Sequence, residues 1–232
     1  MLAFGDSITN GGGELQWGVA LQSWALWVAR GLGLPYTGYA VDGARVGDVV
    51  REQIPAFTAR APAGARYDVG CLYIGVNDVR GVDWDARAFE RDFAVALRFL
   101  GGRCDRVLTV TAPLDLGRPR AGAKVEELDA VIERTARSVD ALVVDLRGFG
   151  ARNLVMADHV HPTAFGQIWI AERALEVLER AGMRVVVRPS SLISFETTRW
   201  RRLRGDVTYA YRHAKLSLRS AYLRLHASVQ DR

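Results

Sequence analysis

Short apolar runs alternate with segments of helical period through most of this 232-residue chain, and that alternation restricts its fold more than any other feature. Residues 1–4 are an apolar run ending in Gly5-Asp6-Ser7. Residues 17–32 repeat Trp17, Leu21, Trp24, Val28 and Leu32 at three- and four-residue steps, which predicts a helix. Residues 36–41 read as a second strand and 46–57 as a helix. Residues 68–74 are the clearest strand, apolar without a break from Val69, of the kind seen where a parallel strand is covered on both faces. A helix over 85–100, a strand over 106–111, a helix over 125–139 and a strand over 141–146 follow. Pro162 is placed to open a last helix running to about residue 181, since proline is tolerated in a first turn. This order implies a parallel sheet with right-handed crossovers and helices on both faces.

Ligand sites in such sheets form beyond the carboxyl ends of the strands. The polar punctuation of this chain falls there: Asp6-Ser7 after the first strand, Asp42-Gly43 after the second, Gly75-Val76-Asn77-Asp78 after the third. Residues far apart in sequence are thereby expected at one edge.

Composition sets the surroundings of that edge. With 49% apolar and 25% charged residues the chain is an ordinary globular one rather than a disordered one. Cys71 and Cys104 form no disulfide framework, and Cys71, inside an apolar run, reads as a small buried hydrophobe. No Cys/His cluster has zinc spacing, so no zinc site is expected. The start lacks a basic segment followed by a long apolar one, and no apolar run reaches the roughly 18 residues of a membrane span. The expected location is cytoplasmic. Charge is unevenly spread. Residues 184–232 hold 11 Lys and Arg against 3 Asp and Glu, a net of +8, which leaves the first 183 residues at −3. The expected organisation is therefore a body over 1–182 and a basic amphipathic helical extension over 183–232.

Acyl transfer needs a nucleophile, a base, a group that orients the base, and donors for the oxyanion. Ser7 sits where a tight turn would expose its hydroxyl, although alone it also reads as a helix cap. His161, in Asp158-His159-Val160-His161-Pro162, is the candidate base, and Asp158 three residues earlier suits a carboxylate that holds the ring. His159 competes with His161 but has no acid at that spacing. Asn77 and Gly43 are candidate oxyanion donors, a side-chain amide and a backbone N–H at a residue that permits close approach; each would pass for a turn residue alone.

Together these blocks resemble the SGNH (GDSL-type) serine hydrolase superfamily, whose four marker residues occur here in order as Ser7, Gly43, Asn77 and His161 with Asp158. The matching stretches are Gly5-Asp6-Ser7-Ile8-Thr9, Val41-Asp42-Gly43-Ala44-Arg45-Val46-Gly47-Asp48, Gly75-Val76-Asn77-Asp78 and Asp158-His159-Val160-His161-Pro162, and the resemblance spans about residues 1 to 181. It implies a flavodoxin-like three-layer α/β/α fold on a five-stranded parallel sheet, and a metal-free Ser-His-Asp mechanism. Ser7 would be acylated, with Asp158 orienting His161. The Ser7 and Gly43 N–H groups and the Asn77 side chain would form the oxyanion hole. The implied function is a serine esterase acting on a small-molecule carboxylic ester. Acyl transfer to an alcohol or sugar would use the same residues, and a binding protein without turnover is the reading from another class. The first strand, four residues before Gly5, is shorter than usual in the family.

The extension has its own pattern. Trp200, Leu203, Val207, Tyr211, Ala214, Leu218, Ala221 and Leu225 step by three or four residues and define one stripe, with arginines mostly elsewhere and Gly205 as a point of interruption. Such a stripe is expected to pack on the body or on another subunit. An anionic membrane surface is the second reading. Nucleic acid is disfavoured because no recognised binding module accompanies the charge. Loops 11–17, 80–84 and 113–120 would shape the pocket, with Trp17, Trp84 and residues 114–116 as candidate apolar lining.

Overall fold

A computed structural model describes residues 1–117, 120–195 and 197–230, and the side chains of these except residues 220 and 223–230. Arg118 and Pro119 of the loop over 113–120, and the side chains of Arg224 and Leu225, lie outside the described residues.

Five parallel strands form one sheet in the order β2-β1-β3-β4-β5: β1 is Leu2–Gly5, β2 Thr37–Gly38, β3 Tyr67–Tyr73, β4 Cys104–Val110 and β5 Leu142–Val144. β3 is central, and its residues from Val69 to Tyr73 are buried, as its unbroken apolar run requires. The ladder of β2 is two residues long, yet its parallel hydrogen bonding continues: Thr37, Tyr39 and Val41 N–H groups donate to Met1, Ala3 and Gly5 carbonyls.

Helices cover both faces. On one side α2 (Trp24–Leu32) packs against α8 (Ala164–Arg180), which also meets β5. On the other lie α3 (Val46–Asp48), a π-helical turn over Val49–Gln53 and α4 (Ile54–Arg60), together with α6 (Ala86–Gly101) and α7 (Lys124–Ser138). Two short helices, α1 (Ser7–Asn10) and α5 (Val76–Arg80), begin at the carboxyl ends of β1 and β3. Past α8 the chain runs back over the body, where Val186 and Val187 N–H groups donate to the Gly31 carbonyl, before α9 (Arg199–Gln230).

Four expectations are corrected. The helix predicted over 17–32 starts only at Trp24. Ser23 caps it by accepting from the Ala25 and Leu26 N–H groups, while Trp17 and Gly18 take positive φ angles that end any helical path before it. Pro162 lies outside the last body helix, which is capped by the Thr163 hydroxyl accepting from the Gly166 N–H. Gly205 does not interrupt α9. The stripe of α9 does not pack on the body: Trp200, Leu203, Val207, Tyr211 and Leu218 are exposed, and the seam with the body is made by Tyr209, His213 and their neighbours.

Candidate active site

The strand order explains how the candidate residues meet. β1 is flanked by β2 and β3, and Gly5 pairs in register with Tyr73. The turns that follow β2, β1 and β3 therefore leave from three adjacent strand ends, carrying Gly43, Ser7 and Asn77. This is the edge where doubly wound sheets bind ligands.

Ser7 is held by a turn that glycine alone permits. Gly5 has φ +154°, and a Cβ there would come within 2.5 Å of the Tyr73 carbonyl. Asp6 caps α1 by accepting from the Ile8 N–H at 2.9 Å, which leaves Ser7 as the first helical residue, its N–H without an intrahelical acceptor. Two buried amides clamp the turn. Gln53 grips the Gly5 peptide on both sides, accepting from its N–H at 3.0 Å and donating to its carbonyl at 2.8 Å. Gln167 of α8 donates to the Ile8 and Gly12 carbonyls and accepts from the Trp24 N–H. The turn that carries Ser7 is thus tied before the serine by Gln53 and after it by Gln167.

His161 arrives on a loop folded back on itself. The Met156 N–H donates to the His161 carbonyl and the Thr163 N–H to the Leu154 carbonyl, while Asp158 Oδ1 accepts from the Val160 and His161 N–H groups. The ring then spans two partners, Nδ1 at 2.8 Å from Asp158 Oδ2 and Nε2 at 3.0 Å from Ser7 Oγ. The hydrogen bond to Asp158 raises the pKa of His161 above its ordinary value. Burial pushes the Asp158 carboxyl up, but the hydrogen bonds from the His161 ring and from the two backbone N–H groups outweigh it, and the net shift is downward. The pair is thus arranged as a carboxylate beside a ring that readily accepts a proton.

Gly43 takes φ +78°, with open space where a side chain would stand. Asn77 Nδ2 donates to the Ala44 carbonyl at 3.0 Å, and Asp78 accepts from the Val46 N–H, so the turn after β2 is tied to the start of α5 by two bonds. An amide nitrogen has two hydrogens, and the bond to Ala44 leaves one to donate. His159 stands apart from this arrangement. Its ring is buried, with Nδ1 2.9 Å from Asp115 and Nε2 3.4 Å from the Tyr209 hydroxyl of α9. The acid that the sequence did not place near it comes from another loop. Trp17 and Trp84 line separate cavities, of about 640 Å³ and 180 Å³, and Leu116 is fully buried, so they do not form one pocket.

Gln53, Gln167 and Asp6 have structural parts in this site that sequence reasoning passed over. A signal existed for the first two: each is a polar residue on the apolar stripe of its helix, Gln53 between Val49 and Phe57, Gln167 between Ala164 and Ala171.

A model of the GDSL-like lipase/acylhydrolase family matches residues 3–167. The chain belongs to that family. Membership places it among hydrolases of the esterase kind. No curated protein matches the chain. Among solved structures, the acetylxylan esterase Axe2 from Geobacillus stearothermophilus aligns with a TM-score of 0.59 at 20% identity, covering 76% of this chain and 92% of that one. A lipolytic G-D-S-L family protein from Veillonella parvula aligns at 0.61 and 23%, covering 77% and 97%. LAE5, an α/β hydrolase from the metagenome of Lake Arreo, aligns at 0.59 and 19%, covering 77% and 94%. At these identities the likeness is one of fold, and it supports the three-layer α/β/α assignment for this GDSL-type chain. Among the described residues no cluster of His, Cys, Asp and Glu is arranged to hold a metal ion.

Proposed function

We propose that this GDSL-type chain is a serine esterase that hydrolyses a carboxylic ester through an acyl-Ser7 intermediate. The observation that carries the reading is the unbroken line of polar contacts from Ser7 Oγ through both nitrogens of His161 to Asp158. Ser7 Oγ attacks the ester carbonyl while His161 Nε2 takes its proton. Asp158 holds the ring by Nδ1 and stabilises the imidazolium that forms. The carbonyl oxygen becomes an oxyanion, met by the Ser7 and Gly43 N–H groups and the remaining Asn77 amide hydrogen. Such donors are each worth about 3 kcal/mol in acyl transfer. His161 then gives its proton to the leaving alkoxide, and a water deprotonated by the same ring releases the acid and restores Ser7.

Hydrolysis of a short p-nitrophenyl ester tests this. Ser7→Ala and His161→Ala should each lower kcat/KM by at least about a thousandfold, because members of such a unit fail together. Circular dichroism should show both variants folded. A folded Ser7→Ala protein that turns over at the wild-type rate would sink the assignment. Whether water or an alcohol takes the acyl group is read from the products formed with a competing alcohol present.

A further inference from the structure

Helix α9 meets the body with one face and turns its apolar stripe away from it. Tyr209, His213 and Leu216, three and four residues apart, are half-buried. On or near that side Arg212 pairs with Glu14, Asp206 with Arg152, and Arg202 lies over the Trp17 ring. The opposite side carries Trp200, Leu203, Val207, Tyr211 and Leu218, with Trp200 78% and Leu218 71% exposed. At about 100° per residue these five fall within roughly 80° of one another. Arg204 and Lys215 border the stripe on one flank, with Arg201 and Arg219 next to them, and none of the four forms an ion pair among the described residues. Arg202 and Arg212 have partners on the body, whereas Arg204 and Lys215 beside the stripe form no ion pair among the described residues, and Arg201 and Arg204 also line the cavity between α9 and the body.

We infer that the outer face of α9 docks on an anionic membrane surface, its aromatic and aliphatic side chains entering the boundary of the acyl region and its flanking basic residues meeting anionic head groups. The helix lies on the surface and does not cross it, because no described helix is long and apolar enough to span a bilayer. Its 32 residues run about 48 Å at roughly 1.5 Å each. A second copy of the chain fits this face less well. Stripe against stripe brings rows of like charge together, and the one acidic residue of α9, Asp206, is already engaged with Arg152. Nucleic acid would use the arginines but leave Trp200, Leu203, Val207 and Leu218 in water. Docking is independent of the chemistry at Ser7.

Sedimentation of the full chain with phosphatidylcholine vesicles, with and without phosphatidylglycerol, tests the inference. The protein should pellet with the anionic vesicles and stay in solution with the neutral ones, and added salt should release it. Leu203→Ser with Leu218→Ser, and separately Arg204→Gln with Lys215→Gln, should each cut the bound fraction about tenfold with unchanged circular dichroism, these side chains being exposed. Ser7→Ala should bind as wild type. Absence of pelleting, equal pelleting with both vesicles, or stripe variants that bind as well as wild type would each overturn the inference. So would a dimer in sedimentation velocity that the Leu203→Ser, Leu218→Ser variant dissociates, which assigns the stripe to a second copy. Duplex DNA binding that survives this variant, with no vesicle binding by wild type, assigns the face to nucleic acid instead.

Discussion

Helices α8 and α9 are successive amphipathic helices that use their apolar stripes in opposite ways. In α8, Ala164, Ile168, Ala171, Leu175 and Leu178 are buried against α2 and β5. In α9 the equivalent stripe is exposed, and the seam with the body is polar and aromatic. The period of a sequence fixes that a helix forms and which residues share a face. Which way the face turns depends on the surface it meets. α8 packs on α2, where Gln167 accepts from the Trp24 N–H and Leu175 lies against Gly31, whereas the surface under α9 offers Glu14, Arg152 and His159, which pair with Arg212, Asp206 and Tyr209.

Paired truncations are the sharpest way to break this comparison. Leu175→Ala should destabilise the protein by about 3 kcal/mol, read from urea unfolding, since the side chain is fully buried and leaves a cavity. Leu218→Ala, at a corresponding stripe position, should change stability by less than about 0.5 kcal/mol. Equal losses would show that the α9 stripe is covered after all.

A second difference is that α8 reaches the turn that carries Ser7 and α9 does not. Gln167→Leu removes the acceptor for Trp24 N–H and the donor for Ile8 and Gly12 carbonyls, all buried or part-buried. A cost of about 2 kcal/mol is expected, in the range for buried polar groups left unpaired. Because the lost bonds hold the turn that presents Ser7, kcat should fall as well. A variant destabilised as expected but with wild-type kcat would show that the clamp serves stability alone.

The sequence made the fold legible where period and burial agree. Residues 68–74, 85–100 and 125–139 fall within a residue or two of β3, α6 and α7, because their apolar patterns are long and their facing is dictated by the sheet. It misled where period met chance. Trp17 and Leu21 keep step with Trp24, yet positive φ at Trp17 and Gly18 and the Ser23 cap keep them out of the helix. At the site, the turns after β1, β2 and β3 could be placed at one edge from strand order alone. His161 reads as the base for Ser7 from its loop and from Asp158, and the order of the blocks strengthens that reading, but the contact across 154 residues of chain is seen only in the fold. Gln53 and Gln167 are marked by their place on apolar stripes, but their partners are backbone atoms of other segments, so the local pattern shows that they are buried and not what they hold.

The same dependence on context sets the pH response of the site. In the proposed reaction His161 must be neutral to accept a proton, and its pKa is raised, first by its hydrogen bond to Asp158. Esterase activity should therefore fall as pH drops through a value above the ordinary 6.5 of histidine. Asp158 is held below its usual range and remains ionised over that limb. Asp6 adds a smaller effect. Fully buried, its carboxyl is pushed up to about 7 by desolvation, and its charge helps to raise His161. Its Oδ2 has no partner among the described residues, so the ionised form is costly. Since the folded value lies above the unfolded 3.8, the stability Asp6 contributes is full below about 4 and is lost as pH rises through about 7. Asp6→Asn keeps an oxygen to cap Ile8 and removes the charge. The acid limb of kcat/KM should then move to lower pH, while this part of the stability loss between about pH 4 and 7 disappears. A limb that stays in place would show that the Asp6 charge does not reach His161, and a limb that moves upward would reverse the sign of the coupling.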